Sequence, residues 1–292
     1  MASLRDIQTK ISAVKKTRQI TKAMNMVATA KLRQVQGKTE AFRPYATKFR
    51  EVLGSLSQGV DPEIHPLLAQ PEVVENVGLI ALSADRGLCG SFNAGLIDKT
   101  QKFINETKAN GRGLKIYAVG RQVGDYLRKR NIETAQRLSG AMNVVDFDLA
   151  TQVGGFALDP FLAGEVQEVY IIFSQFMGMG RQAPTALKLL PIEPEAASEA
   201  SAAGAAEYLT EPSAEEILVE LLPRYLNVTI YRALLETATS EHAARMTAMD
   251  NATRNCKDMI ERLTLAYNKA RQAAITTELM DIIGGAEALK QG

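Results

Sequence analysis

Apolar side chains recur every three or four positions over residues 4–57 and again over residues 213–283. In the first stretch Ala28, Val35, Phe42, Phe49 and Leu56 repeat at intervals of seven, with Leu32, Tyr45 and Val52 at intervening positions. Upstream, Leu4, Ile7, Ile11 and Val14 step in the same way. Following the apolar residues onward leads through Thr17 and Ile20 to Met24 and Val27, a skip of the kind that overwinds a coiled coil. In the second stretch Met246, Met249, Thr253, Cys256, Ile260, Leu263, Tyr267, Ala270, Ala274 and Thr277 step by three and four without a fault for more than four heptads, the pattern of a coiled-coil seam. Pro212 with Glu215 and Glu216 marks the start of this helix, and Gly284-Gly285 reads as its stop. Pro44 and Pro223 lie inside the two patterns and predict bends. At about 1.5 Å per residue the helices reach ~80 Å and ~105 Å if unbroken. That exceeds the width of a domain built from this chain, so part of each helix lies outside a globular core and needs a partner. The simplest partner is the other helix, in an intramolecular antiparallel coiled coil; a homodimeric coiled coil is the competing arrangement.

Between the helices the period changes. The run from Val77 to Ser83 is short, apolar and bounded by polar residues, as a buried strand is. Residues 94–108 come next as an amphipathic helix, 114–120 as a second strand and 122–130 as a second helix. Residues 151–162 read as a further helix, 166–176 as a strong strand and 185–192 as another, with Gly178-Met179-Gly180-Arg181 as a hairpin loop between them. Strands alternating with helices predict a mostly parallel sheet with helices on its faces. The fold class is therefore α/β: a long antiparallel coiled coil of the N- and C-terminal helices plus a Rossmann-like α/β domain. The expected divisions are a coiled-coil helix over 1–60, the α/β domain over 75–195, a low-complexity Ala/Ser/Glu loop over 196–208 and the second coiled-coil helix over 209–292.

Composition narrows the chemistry. No run of about 18 apolar residues occurs, so no membrane-spanning helix is expected, and the first residues enter a helical pattern at once, without an apolar signal region. Two cysteines, Cys89 and Cys256, are no disulfide framework and suggest a reducing compartment. With only His65 and His242 as histidines, a zinc site is not expected. The net charge is +1, but residues 1–50 carry twelve Lys/Arg against Asp6 and Glu40, a local +10 that leaves −9 for the rest. Such an excess points to an acidic or polyanionic partner for the first helix. One reading of that charge is a nucleic-acid-binding arm, whose affinity would fall steeply with salt.

An α/β sheet invites a nucleotide, but no Gly-x-Gly-x-x-Gly succeeds the first strand and no Gly-x-x-x-x-Gly-Lys-Ser/Thr occurs. The strand runs instead into Asp85-Arg86-Gly87-Leu88-Cys89-Gly90-Ser91. The glycines of this segment permit a tight turn, and Ser91 or Asn93 are candidate caps for the next helix. Cys89 as a nucleophile would need a base, and neither histidine is placed by sequence to serve. A pinned turn or a docking surface is the better reading.

Three separate segments carry a resemblance. The residues Ile20-Thr21-Lys22-Ala23-Met24-Asn25-Met26-Val27-Ala28, the turn at 85–90, and Tyr267-Asn268-Lys269-Ala270-Arg271-Gln272-Ala273-Ala274-Ile275-Thr276 together resemble the gamma subunit of the rotary, F-type ATP synthase, with the stretch 240–249 in support. The resemblance runs from end to end. The missing transit peptide makes the chain look bacterial, and the inserted regulatory cysteine pair of the chloroplast type is absent. The resemblance implies a non-catalytic central shaft that binds no nucleotide or other cofactor. It transmits torque between a membrane c ring and a catalytic hexamer of alpha and beta subunits, one copy per complex, peripheral on the cytoplasmic face of the plasma membrane. It further implies that Met24, Arg271 and Gln272 meet the beta subunit. Asp85, Arg86 and Gly87, with Tyr208 and Glu211, would meet the epsilon subunit or the c ring, although Thr210 stands where the family often has a second aromatic.

Overall fold

The computed structural model describes residues 4–57, 65–193 and 214–291, with side chains described over 216–286 in the last segment. The expectations placed on Tyr208, Glu211 and the loop 196–208 therefore lie outside the described residues. The chain divides into two compact units, Met1–Val27 with Met246–Gly292, and Ala28–Arg245. Two long helices, α1 (Leu4–Ser57) and α5 (Ala214–Gln291), contribute to both. Pro44 and Pro223 lie inside helices that continue past them. Each removes one backbone donor from the helical ladder.

Within the first unit the two helices run antiparallel. The Thr21 and Thr253 hydroxyls are 2.8 Å apart, and Asn25 Nδ2 donates to the Met246 carbonyl at 2.9 Å, so advancing along α1 means retreating along α5. The first pair sets a register in which partner numbers sum to about 274; Ile7 then falls beside Tyr267 and Leu4 beside Ala270. The α5 seam keeps to the predicted line: every position from Met246 to Ala274 in that series is buried or half-buried, and only Thr277 is exposed. The end of the seam agrees with the register, which brings α1 to its first described residues at that level.

Two expectations fail. The skip in the α1 heptad does not exist: Ile20 and Val27 are 60% and 62% exposed, whereas Thr21 is buried. Ile7, Val14, Thr21, Ala28, Val35, Phe42, Phe49 and Leu56 are each seven apart and each buried or half-buried. The seam is a single heptad register that passes through a threonine, and tracing apolar residues alone loses it there. Gly284-Gly285 also fails to stop α5, which runs on to Gln291. Neither glycine adopts the positive φ of a helix stop, and the residues after them are good helix formers that offset a cost of about 1 kcal/mol per glycine.

The second unit is built on a five-stranded sheet of order β3-β2-β1-β4-β5: β1 (Asn76–Leu82), β2 (Gly113–Val119), β3 (Gln136–Leu138), β4 (Glu168–Gly178) and β5 (Arg181–Leu190). The first four strands are parallel and β5 returns antiparallel to β4 across the 178–181 hairpin. The three-residue edge strand β3 is not legible as a strand from its polar sequence. Strand alternation divides the core in two. Leu79, Ala81, Ile116, Ala118 and Ile172 face α2 (Phe92–Ala109) and α3 (Arg121–Lys129), through Leu96, Ile104, Val123 and Leu127. Ile80, Leu82, Val119, Val169, Ile171 and Phe173 face the other way. They pack against Val153 and Phe156 of α4 (Phe147–Leu162), against Leu53 of α1, and against Leu222, Leu226 and Ile230 of α5. Helix α4 starts four residues before the predicted 151, because Asp146 caps it by accepting the Leu149 N–H at 2.9 Å.

No helix among the described residues is long and apolar enough to cross a membrane.

Candidate functional site

The turn after β1 is held by a dense set of side-chain hydrogen bonds. Ser83, Ala84 and Asp85 are buried where the strand leaves the sheet. Asp85 uses both carboxylate oxygens internally: Oδ1 accepts the N–H groups of Arg121 at 2.9 Å and Gly140 at 2.7 Å, and Oδ2 accepts that of Met142 at 2.9 Å. Its side chain thereby fixes the start of α3 and the loop after β3. Ser83 works beside it, its Oγ accepting the Val123 N–H at 3.0 Å. Gly120, at φ +100, presses so closely on the Ser83 carbonyl that a Cβ there would collide with it. At 6% exposure Asp85 offers a partner almost no surface. The contact expected of it is available only to its neighbours, since Arg86 and Gly87 are exposed.

Asn93 and Arg245 hold the exposed part of the turn. The Asn93 amide donates to the Arg86 carbonyl at 3.3 Å and to Cys89 Sγ at 3.1 Å, and its oxygen accepts the Ala84 N–H at 3.1 Å. Neither Ser91 nor Asn93 acts as the side-chain cap expected for α2; Ser91 occupies the cap position without such a bond. From α5, Arg245 Nη2 donates to the carbonyls of Arg86 at 3.3 Å and Gly87 at 3.2 Å, while Nη1 pairs with Glu241 Oε1 at 2.7 Å. Both charged side chains are buried. Burial pushes the Glu241 carboxyl above its usual range, and Arg245 opposes that push. Leu88 is left at φ +62 with 64% of its surface in solvent. A branched apolar residue in left-handed backbone is costly, and the bonds on both sides of it hold the conformation.

This arrangement is not a nucleophile site. Cys89 is buried, and burial pushes its thiol up; Arg245 works against that and Glu241 adds to it. A thiolate is therefore disfavoured where the sequence allowed one. Among the described residues no group of three or more His, Cys, Asp or Glu side chains is placed to hold a metal.

The remaining expected residues lie in the first unit and are not gathered into one place. Met24 is half-buried on the seam side of α1, while Arg271 and Gln272 are exposed on α5. In the register set by Thr21 and Thr253, Met24 falls beside residue 250, some twenty residues or ~30 Å of helix from Arg271. Met24 and the Arg271–Gln272 pair are thus separate surfaces. No role was read from the sequence for Glu241 and Arg245. The available signal was an acid and a base four apart in an otherwise small and apolar stretch, the spacing of a pair on one helix face.

Fold and site together define a class: an α/β domain inserted, in sequence, between the two helices of an antiparallel coiled coil, with a buried polar cluster spent on shaping a surface turn. The profile of the family described as ATP synthase matches residues 3–289. The ATP synthase gamma chain of Maridesulfovibrio salexigens is 52% identical over 291 residues, covering 99% of this chain and all of the relative. That of Syntrophobacter fumaroxidans is 52% identical over 292 residues, covering both chains in full. Among solved structures, a chain of the Euglena gracilis mitochondrial ATP synthase rotor aligns with TM-score 0.65 at 20% identity, covering 93% of this chain and 98% of its own. A chain of the Tetrahymena thermophila central stalk and c-ring structure aligns at 0.58 and 22%, covering 80% and 99%. The chain belongs to the ATP synthase gamma chain family. Nothing in these comparisons supports the nucleic-acid alternative drawn from the basic first helix.

Proposed function

We propose that this chain is the central rotor shaft of a bacterial ATP synthase, carrying torque between a membrane c ring and a catalytic alpha/beta hexamer. The observation that carries this reading is full-length membership of the gamma chain family combined with a self-paired antiparallel coiled coil. In this role the chain is non-catalytic and present once per complex. It also contacts an epsilon subunit, and it is peripheral on the cytoplasmic face of the plasma membrane, held there through the ring.

The physical requirement is differential contact. A shaft orientation that touched all three beta subunits alike would shift none of their conformational populations, whatever its affinity. The surface presented to the hexamer must therefore differ around the axis. Met24 on the strongly basic helix α1, and Arg271 with Gln272 some ~30 Å away along α5, are the residues assigned to beta contacts. Both Arg271 and Gln272 have exposed side chains suited to gripping a polar loop. Arg86 and Gly87, held by Arg245, are assigned to epsilon or the c ring. Asp85 serves that contact only by shaping the turn, and Tyr208 and Glu211 complete the assignment.

The test is the double substitution Arg271→Ala with Gln272→Ala in the complete enzyme. Assembly and basal hydrolysis persist, while ion pumping and ATP synthesis fall several-fold. Undiminished synthesis in an assembled double variant rejects the beta-contact assignment. An enzyme that couples normally when assembled without this chain rejects the shaft itself.

A further inference from the structure

Among the described residues of α1, one buried residue is polar, and it lies in the seam: Thr21, 8% exposed. Opposite it on α5 stands another threonine, half-buried Thr253, with 2.8 Å between the two hydroxyl oxygens. Thr253 also lies 2.8 Å from its own Met249 carbonyl, and Thr21 lies 3.1 Å from that of Arg18. Two hydroxyl protons must serve these three bonds. The two shorter ones form a directed chain from Thr21 to Thr253 to the Met249 carbonyl and consume both protons. One turn further along α1, Asn25 Nδ2 donates to the Met246 carbonyl at 2.9 Å. The two helices are therefore joined by two directional bonds, where packing alone would leave a smooth apolar contact.

We infer that Thr21 and Thr253, assisted by Asn25, form a shear clamp that fixes the axial and rotational phase between the two helices. The neighbouring seam explains the need for one. Ala28 on α1 and Cys256, Ala270 and Ala274 on α5 are small, and small side chains resist sliding poorly because one layer packs almost as well against the next. Dispersion and apolar burial are non-directional. A buried polar pair is directional: moving α5 by one helical turn sets Thr21 against Met249 or Cys256, where its hydroxyl has no side-chain partner of equal strength. A polar residue at a seam position trades stability for a single register. The trade is mild here, because a threonine can always fall back on its own helix carbonyl.

Thr21 and Thr253 are thus positioning residues. The claim about phase stands on geometry alone, and its mechanical consequence rests on the shaft reading above. If each helix carries contacts to different partners, torque taken up by one reaches the other only while the two keep phase.

The experiment uses disulfide trapping in the assembled enzyme, with Cys89→Ser throughout. In one form, Val14→Cys is paired with Ile260→Cys and Cys256→Ala, reporting the native register. In the other, Val14→Cys meets the native Cys256, one turn out of register. Thr21→Val with Thr253→Val keeps shape and removes both hydroxyls, and thermal melting verifies that the chain is folded. The expected result is that the ratio of out-of-register to in-register trapping rises about fivefold to tenfold, the effect of one net hydrogen bond. Thr21→Ser with Thr253→Ser, which retains the hydroxyls, restores it. A ratio unchanged in the double valine variant overturns the clamp and leaves the shaft reading untouched. Ions pumped per ATP should fall in parallel with the rise in that ratio. A raised ratio with unchanged pumping per ATP overturns the positioning role, whereas loss of the shaft reading would appear separately, as normal coupling without the chain.

Discussion

Asp85→Asn is the sharpest perturbation of the turn, because it changes one atom and leaves the shape intact. The carboxylate accepts three backbone N–H groups, two on Oδ1 and one on Oδ2. In the amide, the retained oxygen keeps Arg121 and Gly140, and the new NH2 group faces the Met142 N–H, donor against donor. That N–H is buried, so water does not replace the lost acceptor. Losing a charge-assisted bond to a buried donor costs about 2 kcal/mol, and reducing the other two from charged to neutral adds roughly 0.5 kcal/mol each. The expected loss is about 3 kcal/mol for Asp85→Asn and about 5 kcal/mol for Asp85→Ala, against a domain stability of order 5–15 kcal/mol. At about 2–4 °C per kcal/mol for a unit of this size, the asparagine variant melts roughly 6–12 °C lower. Urea unfolding measures the loss. Hydrogen exchange localises it, with the amides of Arg121, Gly140 and Met142 accelerated more than those of the β4 strand. If Asp85 acted instead as a partner contact, stability would be unchanged and only assembly would weaken. A variant within about 0.5 kcal/mol of the parent therefore refutes the internal role.

Two groups elsewhere in the second unit give further outcomes. Burial lowers His242 from 6.5 to about 4, with Arg245 and then Lys31 adding to the effect. The unfolded chain then binds the proton first as pH falls, so the contribution is complete above 6.5 and is lost progressively towards about 4. From about pH 7 to about pH 5 the loss is about 2 kcal/mol, and His242→Gln should remove that part of the slope in unfolding measured at both values. On α4, a Cβ at Gly154 would collide with Asn227 Oδ1, a buried atom with no hydrogen-bond partner among the described residues. Gly154→Ala should cost about 1–3 kcal/mol, and adding Asn227→Ala should recover much of it. A strictly additive double variant would show that the two side chains do not meet.

The sheet and both helices were legible because each rests on long apolar repeats. The α5 seam was read residue by residue, because the apolar positions on both sides of Thr253 keep one step of three and four and carry the register through it. The α1 seam was misread at one place for the opposite reason. Thr21 earns its buried position only through Thr253, more than two hundred residues away, and Ile20 and Val27 offered a more apolar route that leads to solvent. The same blindness applies to the turn. Asp85 at the end of a strand is written identically whether it points into a loop's amides or out to a partner. Its three donors come from residues 121, 140 and 142, none of which carries a side-chain signal. Strand β3 is three residues long with two of them polar, too short for alternation to register. Gly284-Gly285 shows a different limit, because a helix stop is a conformation and glycine merely permits it.

A single principle connects the turn and the coiled coil. Apolar burial determines which faces are inside, but its energy hardly changes when one packed surface slides or rotates slightly against another. Directional bonds define the remaining degrees of freedom, and here they are found where the backbone must be placed with precision. Asp85, Asn93 and Arg245 hold a turn with Leu88 in an unfavourable conformation, and Thr21 with Thr253 holds two helices in phase. Asp85, Asn93 and Arg245 bond backbone groups that apolar replacements would leave unsatisfied, whereas replacing Thr21 and Thr253 by well-packed apolar residues of equal volume would leave the fold intact at equal or higher stability, as holds for buried ion pairs elsewhere. In a protein that must pass a load, such a variant would be folded yet mechanically slack. Stability measurements alone would therefore miss the function of the two threonines, and only readouts of geometry under assembly, such as trapping ratios and ions moved per ATP, separate a stable shaft from a stiff one.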